Sequence, residues 1–260
     1  MTDNKIEFFK YHGTGNDFIL INSFEKEIIL TKEDISLLCH RRFGVGADGL
    51  IFLRKKDGYD FEMDFYNSDG NKGSMCGNGG RCIVAFAKDL GIIRSETFFL
   101  APDGAHNAIY YSHDKIKLQL KNVNNIEKHP LGLYLNTGSP HLVIYKKNND
   151  IDVYSEGRKI RYSDYYRNEG TNVNFVVYND NIKEIYTYER GVEAQTYSCG
   201  TGTVASAISL NKTDGIRSPI RLKTLGGDLI VYFNNIGKDI YSDIWLEGHV
   251  EKVFEGIYNL

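Results

Sequence analysis

Apolar residues along this chain fall mostly in short bursts at a spacing of two, as in KIKLQL (115–120), HLVIY (141–145) and LIVYF (229–233). Alternation over five or six residues sets the apolar side chains on one face of an extended strand, and the many Tyr and Phe suit such half-buried surfaces. The chain therefore reads strand-rich. Helical spacing breaks in at a few places. TKEDISLLCHRR (31–42) opens with Thr, carries acids in its first turn and repeats apolar residues at Ile35, Leu38 and Cys39, which predicts a helix. GGRCIVAFAKDLG (79–91) and GTVASAISLN (202–211) are apolar on most faces. Both predict helices buried inside a curved sheet, stopped at Gly91 and Asn211.

A repeat organises these elements. Cys76-Gly77-Asn78-Gly79 recurs as Cys199-Gly200-Thr201-Gly202, an offset of 199 − 76 = 123 residues. The same offset carries Thr14-Gly15 of GTGNDFILI onto Thr137-Gly138 of TGSPHLVI, DGLIFL (48–53) onto TNVNFV (171–176), and FYN (65–67) onto YER (188–190). A shared register in several segments marks two homologous halves, 1–121 and 122–248, joined near the polar stretch KNVNNIEKHP (121–130). Residues 249–260 remain and are expected to return to the first lobe.

Composition narrows the chemistry. A net charge of −3 without a run of Lys and Arg excludes the electrostatic footprint of a nucleic-acid or anionic-membrane binder. No apolar stretch approaches the roughly 18 residues of a membrane span, and MTDNKIEFFKYHG lacks the charge and apolar order of a leader, so a cytoplasmic protein is expected. The four cysteines form no C-x-x-C pair, which makes zinc and disulfide readings minor ones and gives an expectation of no metal.

Cys76 and Cys199 each precede a glycine-rich helix start, where the helix dipole and unpaired N–H groups favour a thiolate and a bound carboxylate. Cys39 and Cys82 sit within helical stretches and read as packing. Two pseudo-equivalent thiols facing one another across an inter-domain cleft would suit proton removal on one face of a carbon and delivery on the other. Rival motifs fit less well. GTGTVA matches a dinucleotide fingerprint in letters, but residue 222 is Leu and SPIRLK nearby offers no acid. A cysteine hydrolase using His141 would need one nucleophile, not a duplicated one.

The segments KYHGTGNDFILI, FGVGADGL (43–50), FYNSDGNKGSMCGNGGRC, TNVNF, YERG and SCGTG, taken in order, resemble the cofactor-independent diaminopimelate epimerases across most of the chain. The resemblance implies an α+β fold of two pseudo-symmetric lobes, each a curved, mainly antiparallel, barrel-like sheet around a central helix. It implies interconversion of LL- and meso-2,6-diaminopimelate, on the way to lysine and peptidoglycan, with no cofactor and as a homodimer. By similarity Cys76 and Cys199 are the thiol/thiolate pair, and His141 and Glu189 assist. The N–H groups of Gly77, Asn78, Gly200 and Thr201 hold the reacting carboxylate. Asn16, Asn67, Asn172, Glu189 and Arg190 bind substrate, with Arg190 suited to a bidentate grip on the distal carboxylate. Ser139, Gly49 and the VEAQTYS loop carrying Gln195 depart from the family pattern. The alternative is a proline or hydroxyproline racemase or epimerase of the same fold. A third reading, of another class, is a non-catalytic amino-acid-binding protein.

Overall fold

The computed structural model describes residues 5–179 and 182–260. In chain order they form β1 (Lys5–Gly13), β2 (Asn16–Ser23), α1 (Lys32–Cys39), β3 (Gly49–Arg54), β4 (Glu62–Asn67), α2 (Gly77–Asp89), β5 (Glu96–Ala101), β6 (Gly104–Ser112), β7 (Lys115–Leu120), β8 (Ile126–His129), β9 (Gly132–Asn136) and β10 (Pro140–Lys146). There follow α3 (Val153–Arg161), β11 (Asn172–Asn179), β12 (Ile182–Glu189), β13 (Ala194–Thr196), α4 (Gly200–Asp214), β14 (Ile220–Thr224), β15 (Gly227–Gly237), β16 (Ile240–Gly248) and β17 (Val250–Asn259). The fold is α+β. Two compact units divide the chain: Met1–Leu118 with Gly248–Leu260, and Gln119–Glu247.

Both units follow one plan. Antiparallel pairs dominate, and each unit contains two parallel pairs, β2–β3 and β4–β5 in the first, β10–β11 and β12–β14 in the second. A parallel pair needs a crossover, and α1, α2, α3 and α4 lie in those four connections. The register repeats at the offset found in the sequence. Phe18 opposite Gly49 becomes His141 opposite Asn172 (18 + 123 and 49 + 123), and Ala101 opposite Gly104 becomes Thr224 opposite Gly227 (101 + 123 and 104 + 123). In the first unit β17 pairs antiparallel with β1, from Val250 opposite Gly13 to Asn259 opposite Lys5.

Helices cover both faces of each sheet's middle strands. Ile19, Ile21, Leu50 and Phe52 pack with Ile35 and Leu38 of α1. The alternate residues Phe18, Ile51 and Met63 crowd Gly79 of α2, where a Cβ would lie 3.1–3.4 Å from their side chains. Burial on two faces explains why β3 reads as a continuous apolar run rather than an alternating one. In the second unit Leu142, Ile144, Val173 and Phe175 pack with Val153 of α3. Their alternates face α4.

Helix ends show where local sequence decides. Thr31 forms a reciprocal capping box with Asp34, so α1 starts there, and it closes at Cys39, short of the expected Arg42. The expected stop at Asn211 is corrected: α4 continues to Asp214, and Gly215, left-handed at φ 67°, caps it by donating to the Asn211 carbonyl. Asn211 instead stays helical and donates its side-chain amide to Ile216 O at 2.8 Å, pinning the exit of the chain.

Candidate active site

Cys76 and Cys199 are the N-cap residues of α2 and α4, with φ/ψ of −114°/119° and −125°/112°. Near-identical extended dihedrals, followed at once by helix, leave the first N–H groups of each helix pointing beyond its end without intrahelical acceptors. Gly77, Asn78, Gly200 and Thr201 therefore supply the backbone donors that the sequence singled out. Neither cysteine side chain caps its own helix.

In the first unit Cys76 is half-buried, and its Sγ lies 3.5 Å from Asn16 Oδ1, which also accepts from Asn78 Nδ2 at 3.3 Å. Asn16 Nδ2 donates to Asp48 Oδ2 at 2.6 Å, so the acceptor end of the Asn16 amide is turned toward the thiol. Behind Asp48 stands a charge cluster. Arg41 bridges Asp48 and Asp17, and the buried Lys10 ammonium contacts Asp17 at 2.6 Å. Burial alone would raise the Asp17 carboxyl, but the Arg41 and Lys10 hydrogen bonds hold it well below the usual carboxylate range.

Arg81, five residues after Cys76, is fully buried without a carboxylate partner. It donates to Gly77 O at 3.2 Å, Thr14 Oγ1 at 3.2 Å and Asn78 Oδ1 at 2.9 Å, while its Nε finds no hydrogen-bond partner. Burial lowers its pKa to about 10, still charged at neutral pH. Sequence reasoning passed over Arg81, although a cation inside an otherwise apolar helix was visible as an exception.

In the second unit Cys199 is buried, with Sγ 3.5 Å from Thr201 Oγ1. Thr201 Oγ1 lies 2.9 Å from His141 Nε2, and His141 Nδ1 lies 2.9 Å from Asn174 Nδ2. Asn174 Oδ1 accepts from Thr187 Oγ1 at 3.0 Å. His141 is fully buried; that burial, with the Arg190 charge adding to it and the Asn174 hydrogen bond opposing it, lowers its pKa to about 3. The imidazole is neutral.

The residues expected to bind substrate divide into two kinds. Asn67, at the end of β4, is exposed, and Arg190 follows β12 with its Nη1 donating to Glu169 O at 2.8 Å. Glu189 is half-buried and accepts from Thr196 Oγ1 at 2.9 Å. Asn172 is different: its amide is buried, donates to Ser139 Oγ and Pro140 O, and accepts from Arg190 N at 2.9 Å. It ties the ends of β10, β11 and β12 together and orients the chain at Arg190. Ser139 is thereby a partner of Asn172. At Gly49 a Cβ would come 2.6 Å from both Phe65 Cε2 and Tyr66 O, so the backbone there approaches its neighbours too closely for a side chain. The loop with Gln195 folds as the short strand β13, antiparallel to β12, with Gln195 exposed.

The fold, with a helix opening directly after a cysteine in each of two units built on one plan, is one that solved racemases and epimerases share. A phenazine biosynthesis protein of the PhzF family from Bacillus anthracis matches with a TM-score of 0.78 over 98% of this chain and 99% of its own, at 12% identity. A hydroxyproline epimerase from Agrobacterium vitis matches at 0.69 over 100% of this chain and 94% of its own, at 11% identity. At that identity these two speak for the fold alone. The sequence goes further: the family described as diaminopimelate epimerase matches residues 8–123 and 133–252, and the chain belongs to that family. Relatives named diaminopimelate epimerase include one from Flavobacterium psychrophilum, 49% identical over 96% of this chain and 99% of its own. Another, from Aquifex aeolicus, is 38% identical over 96% and 97%. The chain is thus an isomerase.

Proposed function

We propose that this enzyme interconverts LL- and meso-2,6-diaminopimelate with two thiols, one taking the α-proton as a thiolate while the other delivers a proton to the opposite face of the same carbon. The observation that carries the mechanism is the matched pair of cysteine N-caps, one in each unit, at a single sequence offset. As the Cα–H bond breaks, negative charge spreads onto the α-carboxylate. Backbone donors of Gly77 and Asn78, and of Gly200 and Thr201, are suited to hold that charge, since helix-end dipoles stabilise an anion without reorganising. Both half-reactions use the same donors, so the enzyme serves either stereoisomer by exchanging the roles of Cys76 and Cys199.

Selection of this substrate rests on its far end. Arg190 retains guanidinium N–H groups beyond its bond to Glu169, enough for a carboxylate fork, and Glu189 offers a charge for the ammonium. Asn67 adds an exposed amide. Asn16 and Asn172 act on the ligand more through what they position, Cys76 and Arg190, than through free amide atoms. The role in lysine and peptidoglycan precursor synthesis fits a cytoplasmic enzyme, and the family resemblance fits a homodimer. Among the described residues no helix is long and apolar enough to cross a membrane.

The test is incubation of the reduced enzyme with LL-diaminopimelate in D2O, with L-proline and trans-4-hydroxy-L-proline in parallel, followed by NMR of the α-proton. Loss of the diaminopimelate signal with formation of the meso isomer is expected. Exchange confined to the ring amino acids would move the enzyme to the alternative substrate, and binding without exchange would sink the two-thiol mechanism.

A further inference from the structure

The two halves differ at positions that share one register. On the α2-facing side of the first sheet stand Phe18 and Ile51; 123 residues on, the α4-facing side carries His141 and Asn174. All four are fully buried. Replacing a packed apolar pair by an imidazole and an amide costs desolvation of several polar atoms, which a core does not need for packing. Here every one of those atoms is engaged, and the engaged atoms form a line that ends at a cysteine.

The direction of that line follows from its far end. Asn174 accepts from the Thr187 hydroxyl through Oδ1, so Nδ2 is the atom presented to His141 Nδ1. An amide N–H makes Nδ1 an acceptor, and a neutral imidazole with an acceptor at Nδ1 carries its hydrogen on Nε2. Nε2–H then donates to Thr201 Oγ1, whose own hydrogen is left for Cys199 Sγ. At Cys76 the polarity is the reverse: the Asn16 oxygen, fixed by Asp48, accepts from the sulfur.

We propose that Thr201 is a positioning residue whose hydroxyl, oriented by Asn174 through His141, holds Cys199 as the thiolate, so that in the ligand-free enzyme Cys199 is the base and Cys76 carries the proton. This inference rests on the two-thiol reading above. The first turnover consumes the substrate isomer whose α-hydrogen faces Cys199: that hydrogen passes to Cys199 Sγ as a proton, and the Cys76 proton passes to the opposite face of the carbon. Charges balance, since one thiolate and one thiol exist before and after. The new Cys199 S–H can in turn donate to Thr201 Oγ1, whose second lone pair accepts it while His141 Nε2–H keeps the first.

Titratable groups on the elements around α4 leave this reading intact. His141 on β10 belongs to the line, Arg190 acts on His141, and Glu189 on β12 accepts from Thr196. Lys146 on β10 pairs with Glu156, Lys223 on β14 with Glu184 on β12, and Arg221 on β14 with Asp228 on β15.

Thr201→Val keeps the backbone N–H and the shape and removes only the hydroxyl; Thr201→Ser keeps the hydroxyl. Thiolate absorbance is titrated for each protein against its own Cys199→Ala counterpart, which isolates Cys199 and involves no substrate. A hydrogen bond to an ionised group predicts that the Cys199 titration moves to higher pH by about one to two units in Thr201→Val and returns in Thr201→Ser. An unmoved titration in Thr201→Val, or a shift that Thr201→Ser fails to reverse, overturns the proposal. On the unmutated enzyme, 15N NMR of labelled histidine should find His141 neutral with its hydrogen on Nε2; a hydrogen on Nδ1 overturns the stated direction. Failure of diaminopimelate exchange would instead count against the substrate reading, because neither measurement here depends on it.

Discussion

Gly202 offers a test of how tightly the second site is built. A Cβ added there would overlap Asn174 Oδ1 and stand 3.3 Å from both Asn174 Cγ and Cys199 Sγ. Ordinarily Gly→Ala within a helix gains about 1 kcal/mol, less in a first turn. Against that gain stands the Asn174 amide, which has no room to yield. Moving it releases the Thr187 and His141 hydrogen bonds, worth about 0.5–1.5 kcal/mol each, and keeping it in place costs about 1–3 kcal/mol of overpacking. The net expectation for Gly202→Ala is a loss of about 1–2 kcal/mol, or roughly 2–8 °C in melting temperature for a chain of this size. Thermal unfolding followed by circular dichroism measures it, and Gly202→Ala with Asn174→Ala should melt no lower than Asn174→Ala alone. A variant that melts at or above the parent would show that helix propensity wins and that Asn174 is loosely held, undoing the argument from its fixed orientation.

Other expectations are simpler. Cys76→Ala and Cys199→Ala should each abolish epimerisation. Cys39→Ala and Cys82→Ala should leave most of it, because both side chains are packed in the core and burial raises both thiol pKa values, that of Cys39 to about 12. Similar losses in all four variants would point to folding instead. Asp17→Ala leaves the Lys10 ammonium buried with its charge uncompensated and should cost about 3 kcal/mol in denaturant unfolding; a loss below about 1 kcal/mol would contradict a buried pair. His141 stays neutral in the fold to about pH 3 but protonates near 6.5 when unfolded, so the unfolded chain binds the extra proton between those values. Stability therefore falls as pH drops from about 6.5 toward 3, and His141→Gln should flatten that limb; an equal slope in the variant would assign it to other groups.

Much of the fold could be read because the duplication is written in one register. Segments that align at 123 residues pair alike in space, and CGxG announces both α2 and α4. The helix α3 escaped notice although it lies where α1 maps, and the reason is physical. Its buried residues are Val153 and Gly157, and Gly157 is small because the Tyr188 ring sits where a side chain would go, with Cγ 2.6 Å from an added Cβ. A helix that packs through a glycine leaves little apolar period to find. The site was legible where it is local. Cys76 and Cys199 stand at helix starts, but the grip of Asp48 on Asn16 joins residues 32 apart, and no spacing rule reaches it. His141 was named through the family resemblance, but Asn174 was visible only as a polar interruption on the inward face of NVNFV.

The pairing of β17 with β1 orders events in synthesis. The second unit is one continuous stretch, Gln119–Glu247, and every strand it needs is translated before β17 is made. The first unit is translated earlier yet lacks β17 until the second has been made, so β1 waits with one edge unpaired while the whole of the second unit is translated. The half that emerges first is thus the half completed last. A ribosome stalled before β17 would release a chain whose second unit is whole and whose first exposes an open sheet edge, a ready mark for chaperones and proteases.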